Sequence, residues 1–171
     1  MRAPTKALVL VGAAALLVAC GQPAEPPAAT GGGPATATAP SADDAARAEL
    51  QKTALAALPA PYNTADLDNG QRKFALCRSC HTIVEGGANM TGPNLHGLMG
   101  RTAGTVEKFN YSDAVKGAGF KWDPARLDNW LADPRADLPG NRMTFVGLKD
   151  PEDRTDLIAY LMIETAAKSD D

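Results

Sequence analysis

One short run of residues constrains this chain more than any other: Cys77, Arg78, Ser79, Cys80 and His81. Two cysteines with two residues between them, followed at once by histidine, form the attachment motif of a c-type haem. At the end of a helix, two thiols at this spacing can reach the two vinyl groups on one edge of a porphyrin and form thioethers. His81 then lies under the ring, where its imidazole can ligate the iron. We therefore predict that Cys77, Cys80 and His81 hold one covalent haem c.

A Cys-x-x-Cys pair without the histidine also occurs in zinc sites and in redox-active dithiols. Zinc would need a second pair of ligands, and no cysteine follows Cys80 in the chain. A thioredoxin-like dithiol belongs in a strand–helix pattern, which this sequence does not contain. The motif thus favours haem over both alternatives.

The N-terminal residues have the pattern of an export signal, which attachment of haem outside the cytoplasm requires. Arg2 and Lys6 are basic, and the apolar stretch from Ala7 to Ala19 is too short to span a hydrocarbon core of about 30 Å. It ends in Leu17-Val18-Ala19-Cys20-Gly21, which resembles a bacterial lipobox. We expect a lipoprotein signal peptide over residues 1–19, a lipid on Cys20, and a periplasmic protein anchored to a bacterial membrane. The alternative is an ordinary secretory signal that happens to contain a cysteine.

Lipidation of Cys20 would account for all three cysteines, because the other two would hold haem. Residues 20–42 are rich in Pro, Ala, Gly and Thr, and such a segment cannot bury enough apolar surface to order itself. We predict a tether of roughly 25 Å as a coil and up to about 70 Å when extended. Residues 43–62 contain helix formers followed by Pro59 and Pro61, which predicts a short helix and a linker. This helix either docks on the following domain or projects from it.

Globular patterning is confined to residues 63–168, with a tail at 169–171, which predicts one domain. From residue 63 onward the chain has 13 Lys and Arg against 16 Asp and Glu, a net charge of −3. That balance excludes nucleic-acid binding by bulk charge. We expect a monomer whose small core is completed by the haem.

Capping signals and hydrophobic spacing predict an all-α domain. A helix capped by Asn63 or Thr64 is predicted to run to about Leu76. A second helix begins at Asp123-Pro124, and a third begins near Pro151 with acidic residues in its first turn. The glycine-rich segments between them have no alternating strand pattern.

The second axial ligand of the iron decides what such a protein can do, because an open position binds small molecules whereas a filled one suits electron transfer. Met143 follows a Pro139-Gly140 turn in a loop too polar to be core helix. Its thioether is soft and neutral and favours the ferrous state, so pairing it with histidine raises the reduction potential. Met143 is therefore the predicted second ligand, and Met90, Met99 and Met162 are interpreted as packing residues.

From about Thr64 to Ala167 the chain resembles a class I cytochrome c of the mitochondrial and alpha-proteobacterial type. The order and spacing of the matching segments agree with that family across the whole domain. After the haem motif they are Glu85-Gly86-Gly87, Thr91 to Leu98, Gly100-Arg101, Asn110 to Ala114, Lys121-Trp122, Pro139 to Gly147 and Asp156 to Leu161.

The resemblance implies roles for residues around the haem. The carbonyl of Pro93 would accept a hydrogen bond from the His81 imidazole. Arg101, Tyr111 and Trp122 would surround the haem propionates, although plain core packing is an equal alternative for the two aromatic residues. His96 would make a structural hydrogen bond to the backbone and would not ligate iron.

The resemblance also implies packing contacts and one surface feature. The first and last helices would cross at Gly70, Phe74, Leu157 and Tyr160, and Phe145 would cover the haem edge. Soluble members dock through a ring of lysines, but several of those places here hold other residues, and four basic residues remain. The replacements are Leu76, Glu85, Ala88, Met90 and Asp150, and the remaining basic residues are Arg78, Arg135, Arg142 and Lys149.

The resulting hypothesis is a lipid-anchored monohaem electron carrier with no enzymatic activity. By resemblance, its donor would be a quinol-oxidising cytochrome complex and its acceptor a haem-copper terminal oxidase. The alternative is a peroxidase-like or gas-sensing haem protein in which Met143 leaves the iron. A dedicated acceptor for one dehydrogenase is a third possibility that the sequence does not separate from the first.

Overall fold

The computed structural model describes residues 41–167, so the predicted signal peptide, Cys20 and most of the predicted tether lie outside the described residues. Within this part of the chain there is no β-strand, only an isolated bridge between Thr102 and Lys121. The predicted all-α class is confirmed, and no described helix is both long and apolar enough to cross a membrane. The helices are α1 (Ala42–Ala56), α2 (Leu67–Phe74), α3 (Asp113–Lys116), α4 (Pro124–Ala132), α5 (Pro134–Asp137) and α6 (Pro151–Glu164), with a short 3-10 helix at Tyr62–Thr64.

Helix α1 docks on the C-terminal end of α6 instead of projecting. Its first turn is closed by a capping box, in which the Asp44 N–H donates to Ser41 Oγ and the Ser41 N–H donates to Asp44 Oδ2. Gln51 Nε2 donates to Glu164 Oε1 over 2.8 Å, and Arg47 lies 3.6 Å from the same carboxylate. All side chains of α1 are at least partly exposed, so these polar contacts hold it in place.

Helix α2 begins later than predicted. Residues 62–64 form the 3-10 helix, and Asp66 caps α2 by accepting the Asn69 N–H over 2.9 Å. A tertiary contact selects this cap, because the Asp66 N–H donates to Asp156 Oδ1 on α6 over 2.8 Å. The helix ends at Phe74, short of the predicted Leu76, and irregular turns carry the chain onward.

The predicted crossing of α2 and α6 is confirmed. A Cβ built on Gly70 would lie 2.7 Å from Tyr160 Cβ and closer still to the Asp156 carbonyl oxygen, so only glycine permits this approach. The Phe74 and Tyr160 rings pack beside it with centroids 5.7 Å apart. The contact brings the end of α2, and hence the motif that follows it, onto the core. That core is formed by Phe74, Leu98, Ala103, Val115, Leu127, Trp130, Leu131, Leu157, Ile158, Tyr160 and Leu161.

Helix α4 starts where the sequence predicts, with Asp123 capping Arg126 N–H over 2.7 Å and Pro124 in the first turn. The Arg126 guanidinium makes a two-pronged ion pair with Asp137, which joins α4 to the short helix α5. Helices α3 and α5, of four residues each, were not predicted. They are too short to carry a periodic hydrophobic pattern.

Candidate functional site

The Cys-x-x-Cys-His motif lies on turns that continue directly from α2. The N–H groups of Cys77 and Arg78 donate to the Phe74 carbonyl over 2.8 and 3.1 Å, and those of Cys80 and His81 donate to the Cys77 carbonyl over 2.9 and 3.0 Å. These bonds close consecutive turns through the motif, although the α-helix itself has ended at Phe74. Both thiols and the imidazole are therefore presented from one short series of hydrogen-bonded turns.

The environment of Cys77 disfavours the thiolate that a redox dithiol would need at that position. Burial raises the pKa of the Cys77 thiol to about 11, with a smaller contribution from Cys80. A reactive dithiol instead lowers the pKa of its attacking cysteine. Between residues 41 and 167, moreover, no cluster of three or more His, Cys, Asp or Glu side chains could hold a metal ion such as zinc.

His81 is oriented by a hydrogen bond from its ring. Its Nδ1–H donates to the Pro93 carbonyl over 2.7 Å, which leaves the lone pair on Nε2 free to ligate a metal. Burial lowers the pKa of His81, and the Pro93 hydrogen bond partly opposes this effect. The imidazole is therefore held as the neutral form that a metal ligand must have.

Gly92 packs flat against the His81 ring. A Cβ on Gly92 would lie 2.6 Å from His81 Nε2, 2.7 Å from Nδ1 and closer still to Cε1. The backbone at Gly92 is pinned on both sides, because its N–H donates to the Cys80 carbonyl and its carbonyl accepts from Met90, each over 2.8 Å. Together Gly92 and Pro93 fix the plane and direction of the imidazole.

Asn94 organises the loop that follows His81, and sequence reasoning missed its role. Its Nδ2 donates to Thr82 Oγ1 over 2.7 Å and also to two backbone carbonyls, and its Oδ1 accepts the His96 N–H over 2.6 Å. The side chain is only 8% exposed, so each of these bonds is made away from bulk water. Asn94 belongs to the Thr91 to Leu98 segment that matches the family, so its importance could have been suspected from the sequence. The groups to which it hydrogen-bonds could not.

The predicted structural hydrogen bond of the His96 imidazole is absent among the described residues. The backbone of His96 makes hydrogen bonds instead: its N–H donates to Asn94 Oδ1, and its carbonyl accepts from Arg101 Nη1 over 2.7 Å. Arg101 also donates to the Asn94 carbonyl over 3.1 Å. The guanidinium thus braces the loop that carries Pro93.

Arg101, Tyr111 and Trp122 lie in one half-buried region. Burial lowers the pKa of Arg101 and raises that of Tyr111, and the two groups also act on each other electrostatically. The backbone N–H of Trp122 donates to the Arg101 carbonyl over 2.9 Å. The Trp122 ring makes edge contacts with Phe120 and Trp130, at centroid distances of 4.8 and 5.4 Å, so it belongs to the aromatic core on at least one side.

Met143 lies half-buried in the loop between α5 and α6 and packs against the core, as does Phe145. The Met143 N–H donates to Asn141 Oδ1 over 2.9 Å. This loop and the Asn110 to Lys116 segment together line an open surface hollow of about 460 Å³, and Arg142 joins them by donating to the Asn110 carbonyl. The loop therefore lies next to Tyr111, one of the residues predicted to surround the haem.

The residues present fit a covalently held porphyrin. Two adjacent thiols, a neutral imidazole with a free Nε2 and a thioether supply the required donor chemistry. Several large apolar side chains pack on the core yet remain partly exposed, and an apolar group that covered them would remove more of their surface from water. They are Leu95, Met99, Tyr111, Phe120, Trp122, Leu138, Met143, Phe145 and Leu148.

Comparison with known proteins agrees with this site. A family model described as cytochrome c matches residues 67–163, more than half of the chain. Cytochrome c2 of Rhodoplanes tepidamans is 47% identical over 96 residues, which are 56% of this chain and 90% of that protein. Cytochrome c2 of Blastochloris viridis is 44% identical over 107 residues (63% and 84%), and cytochrome c of Chlamydomonas reinhardtii is 47% identical over 102 residues (59% and 91%). The chain therefore belongs to the cytochrome c family and carries its covalently bound haem c.

Proposed function

We propose that this cytochrome c carries single electrons in the periplasm from a quinol-oxidising cytochrome complex to a haem-copper terminal oxidase. In this proposal Cys77 and Cys80 would hold the haem through thioethers, and His81 and Met143 would be the two protein ligands of its iron. A lipid on Cys20 holds the protein at a bacterial membrane. The relatives named cytochrome c2 support the electron-carrier class, and the lipobox-like segment supports the anchor.

The observation that carries the proposal is the fixed, neutral His81 imidazole. Its Nδ1 is engaged by Pro93, and its ring is stacked against Gly92, so little rearrangement accompanies a change in charge at the iron. Bound haem supplies reversible one-electron chemistry. The protein contributes rigidity, exclusion of water and two neutral donors. No side chain needs to gain or lose a proton for the electron to move.

A potentiometric titration of the full-chain holoprotein tests the ligand assignment. A single one-electron transition with a high midpoint potential is expected, because histidine–methionine ligation favours ferrous iron. A low potential, together with carbon monoxide binding to the untreated ferrous protein, would instead support a peroxidase-like or gas-sensing haem protein in which Met143 is displaced.

Replacement of Cys20 by serine tests the anchor. We expect Cys20→Ser to move the protein from the membrane fraction to the soluble periplasmic fraction, with the haem still attached. Membrane association of the wild type would be measured by fractionation and its lipid by mass spectrometry of the N-terminal peptide. A wild type found in the soluble fraction, with an unmodified N-terminus, would indicate an ordinary secretory signal.

Two arginines are the best probes of docking to a redox partner. Arg142 donates to the Asn110 carbonyl and Lys149 to the Ala132 carbonyl, so changing either would disturb a loop as well as a charge. Arg78 and Arg135 are exposed and take no part in the salt bridges of the described residues. Arg78 lies within the haem motif, and Arg135 lies in α5, the helix that precedes the Met143 loop.

We expect Arg78→Glu and Arg135→Glu each to slow electron delivery to a haem-copper oxidase by roughly 3- to 10-fold at low salt, and less at high salt. Stopped-flow oxidation of the reduced protein measures this rate. Lys52→Glu on α1 makes the same change in net charge at another exposed position and should leave the rate unchanged. Equal effects of all three substitutions would show that only the overall charge matters.

A further inference from the structure

The side chain of Asn141 makes three hydrogen bonds that join α5 to the loop that carries Met143. Its Nδ2 donates to the carbonyls of Pro134 and Leu138, over 2.7 and 2.8 Å. Its Oδ1 accepts the Met143 N–H over 2.9 Å. One half-buried amide therefore ties α5, the turn after it and Met143 together.

These bonds determine the direction of the backbone at Met143. A side-chain oxygen that accepts the N–H two residues later closes an Asx turn, which restricts the intervening backbone dihedrals. The donors at Nδ2 fix the same side chain to α5, which Arg126 in turn holds to α4 through Asp137. The turn is thus fixed in position relative to the helices of the core.

The other end of the loop is anchored in a different way. The Leu148 N–H donates to the Leu131 carbonyl over 2.7 Å. Gly147 has φ of +91°, and a Cβ there would lie 2.9 Å from the Ala132 carbonyl carbon and closer still to its oxygen. The Arg154 guanidinium adds to this downstream anchor by donating to the carbonyls of Leu148 and Lys149. Upstream, the side chain of Asn141 is the group that accepts the Met143 N–H.

We propose that Asn141 is a positioning residue for Met143, which holds the thioether on the iron and sets how readily an external ligand displaces it. This inference rests on the proposed ligation by Met143. The bond is made to the backbone N–H of Met143 itself, the residue that carries the thioether, so its loss frees the loop at the point where displacement must begin. The downstream anchor, which does not involve Asn141, then acts as the hinge.

The test compares full-chain holoproteins of the wild type, Asn141→Ala, Asn89→Ala and Met143→Leu. Asn89 is the matched control, because its side chain also bridges a loop, donating to the Glu107 carbonyl and accepting the Asn94 N–H, each over 2.9 Å. It belongs to the loop after His81 and not to the Met143 loop. The probe is imidazole added to the ferric protein, with the near-infrared band of methionine-ligated ferric haem as a second readout.

We expect Asn141→Ala to bind imidazole about tenfold more tightly than the wild type, the equivalent of about 1.4 kcal/mol. Asn89→Ala should lower thermal stability without changing imidazole affinity. A wild type that shows the methionine band, with equal imidazole affinity in Asn141→Ala, would overturn the inference alone. A wild type without the band, binding imidazole as tightly as Met143→Leu, would overturn both the ligation and the inference.

Discussion

Replacement of Met143 by leucine is expected to lower the reduction potential of the haem by on the order of 0.1 V or more, within the range of about 0.8 V that axial ligands span. Leucine has nearly the volume of methionine, so the half-buried position stays filled while the sulfur is lost. The thioether is a soft, neutral donor that stabilises ferrous iron, and hydrocarbon cannot replace it. Potentiometric titration measures the shift, and carbon monoxide binding to the reduced protein measures the opened position.

The control for this substitution is Met99→Leu. Met99 is also half-buried against the core, but it lies in the segment after His96 and is interpreted as a packing residue. Its replacement should leave the potential and the carbon monoxide response as in the wild type. If Met143→Leu keeps the wild-type potential, another side chain ligates the iron. If Met99→Leu produces the loss instead, the assignment of the two methionines is reversed.

Local signals predicted the starts of two helices correctly, and a tertiary contact explains the one start that was wrong. Asp123-Pro124 and the acidic residues after Pro151 stabilise the first turn of the helix that contains them. Their effect can therefore be predicted from the sequence without knowledge of the tertiary structure. Before α2, three residues could cap: Asn63, Thr64 and Asp66. The choice of Asp66 depends on Asp156, ninety residues away, which accepts its N–H. No local pattern contains that information.

In the site, too, some features could be predicted from local sequence and others depend on tertiary contacts. The haem motif could be read from five adjacent residues, and the proposal that Met143 is a ligand came from its place in a polar loop after a Pro-Gly turn. The hydrogen bond from His81 to Pro93 was expected only because the family resemblance implies it. The Asn94 network and the Asn141 amide escaped prediction, since asparagine is common in loops and its partners are mostly backbone groups. Such bonds are visible only once the loop path is known.

Replacement of Gly92 by alanine is expected to lower the free energy of unfolding of the holoprotein by about 3 kcal/mol, at the upper end of the usual cost of overpacking. The added Cβ would overlap the His81 ring, within 2.6 Å of Nε2. The ring cannot tilt away without breaking its 2.7 Å bond to Pro93, the very next residue. The φ angle of Gly92 lies outside the left-handed region, so the whole effect comes from this contact and not from backbone strain.

Gly117→Ala is the matched control for Gly92→Ala. Gly117 ends α3 at φ of −86°, and its added Cβ would meet only the Asp113 carbonyl oxygen at 3.3 Å. Its stability should differ from that of the wild type by less than about 1 kcal/mol. Thermal unfolding of the haem-loaded proteins, with the yield of covalent haem, separates the two variants. Equal stability would mean that the imidazole can rotate freely, and the rigid proximal ligand on which the electron-carrier proposal depends would have to be abandoned.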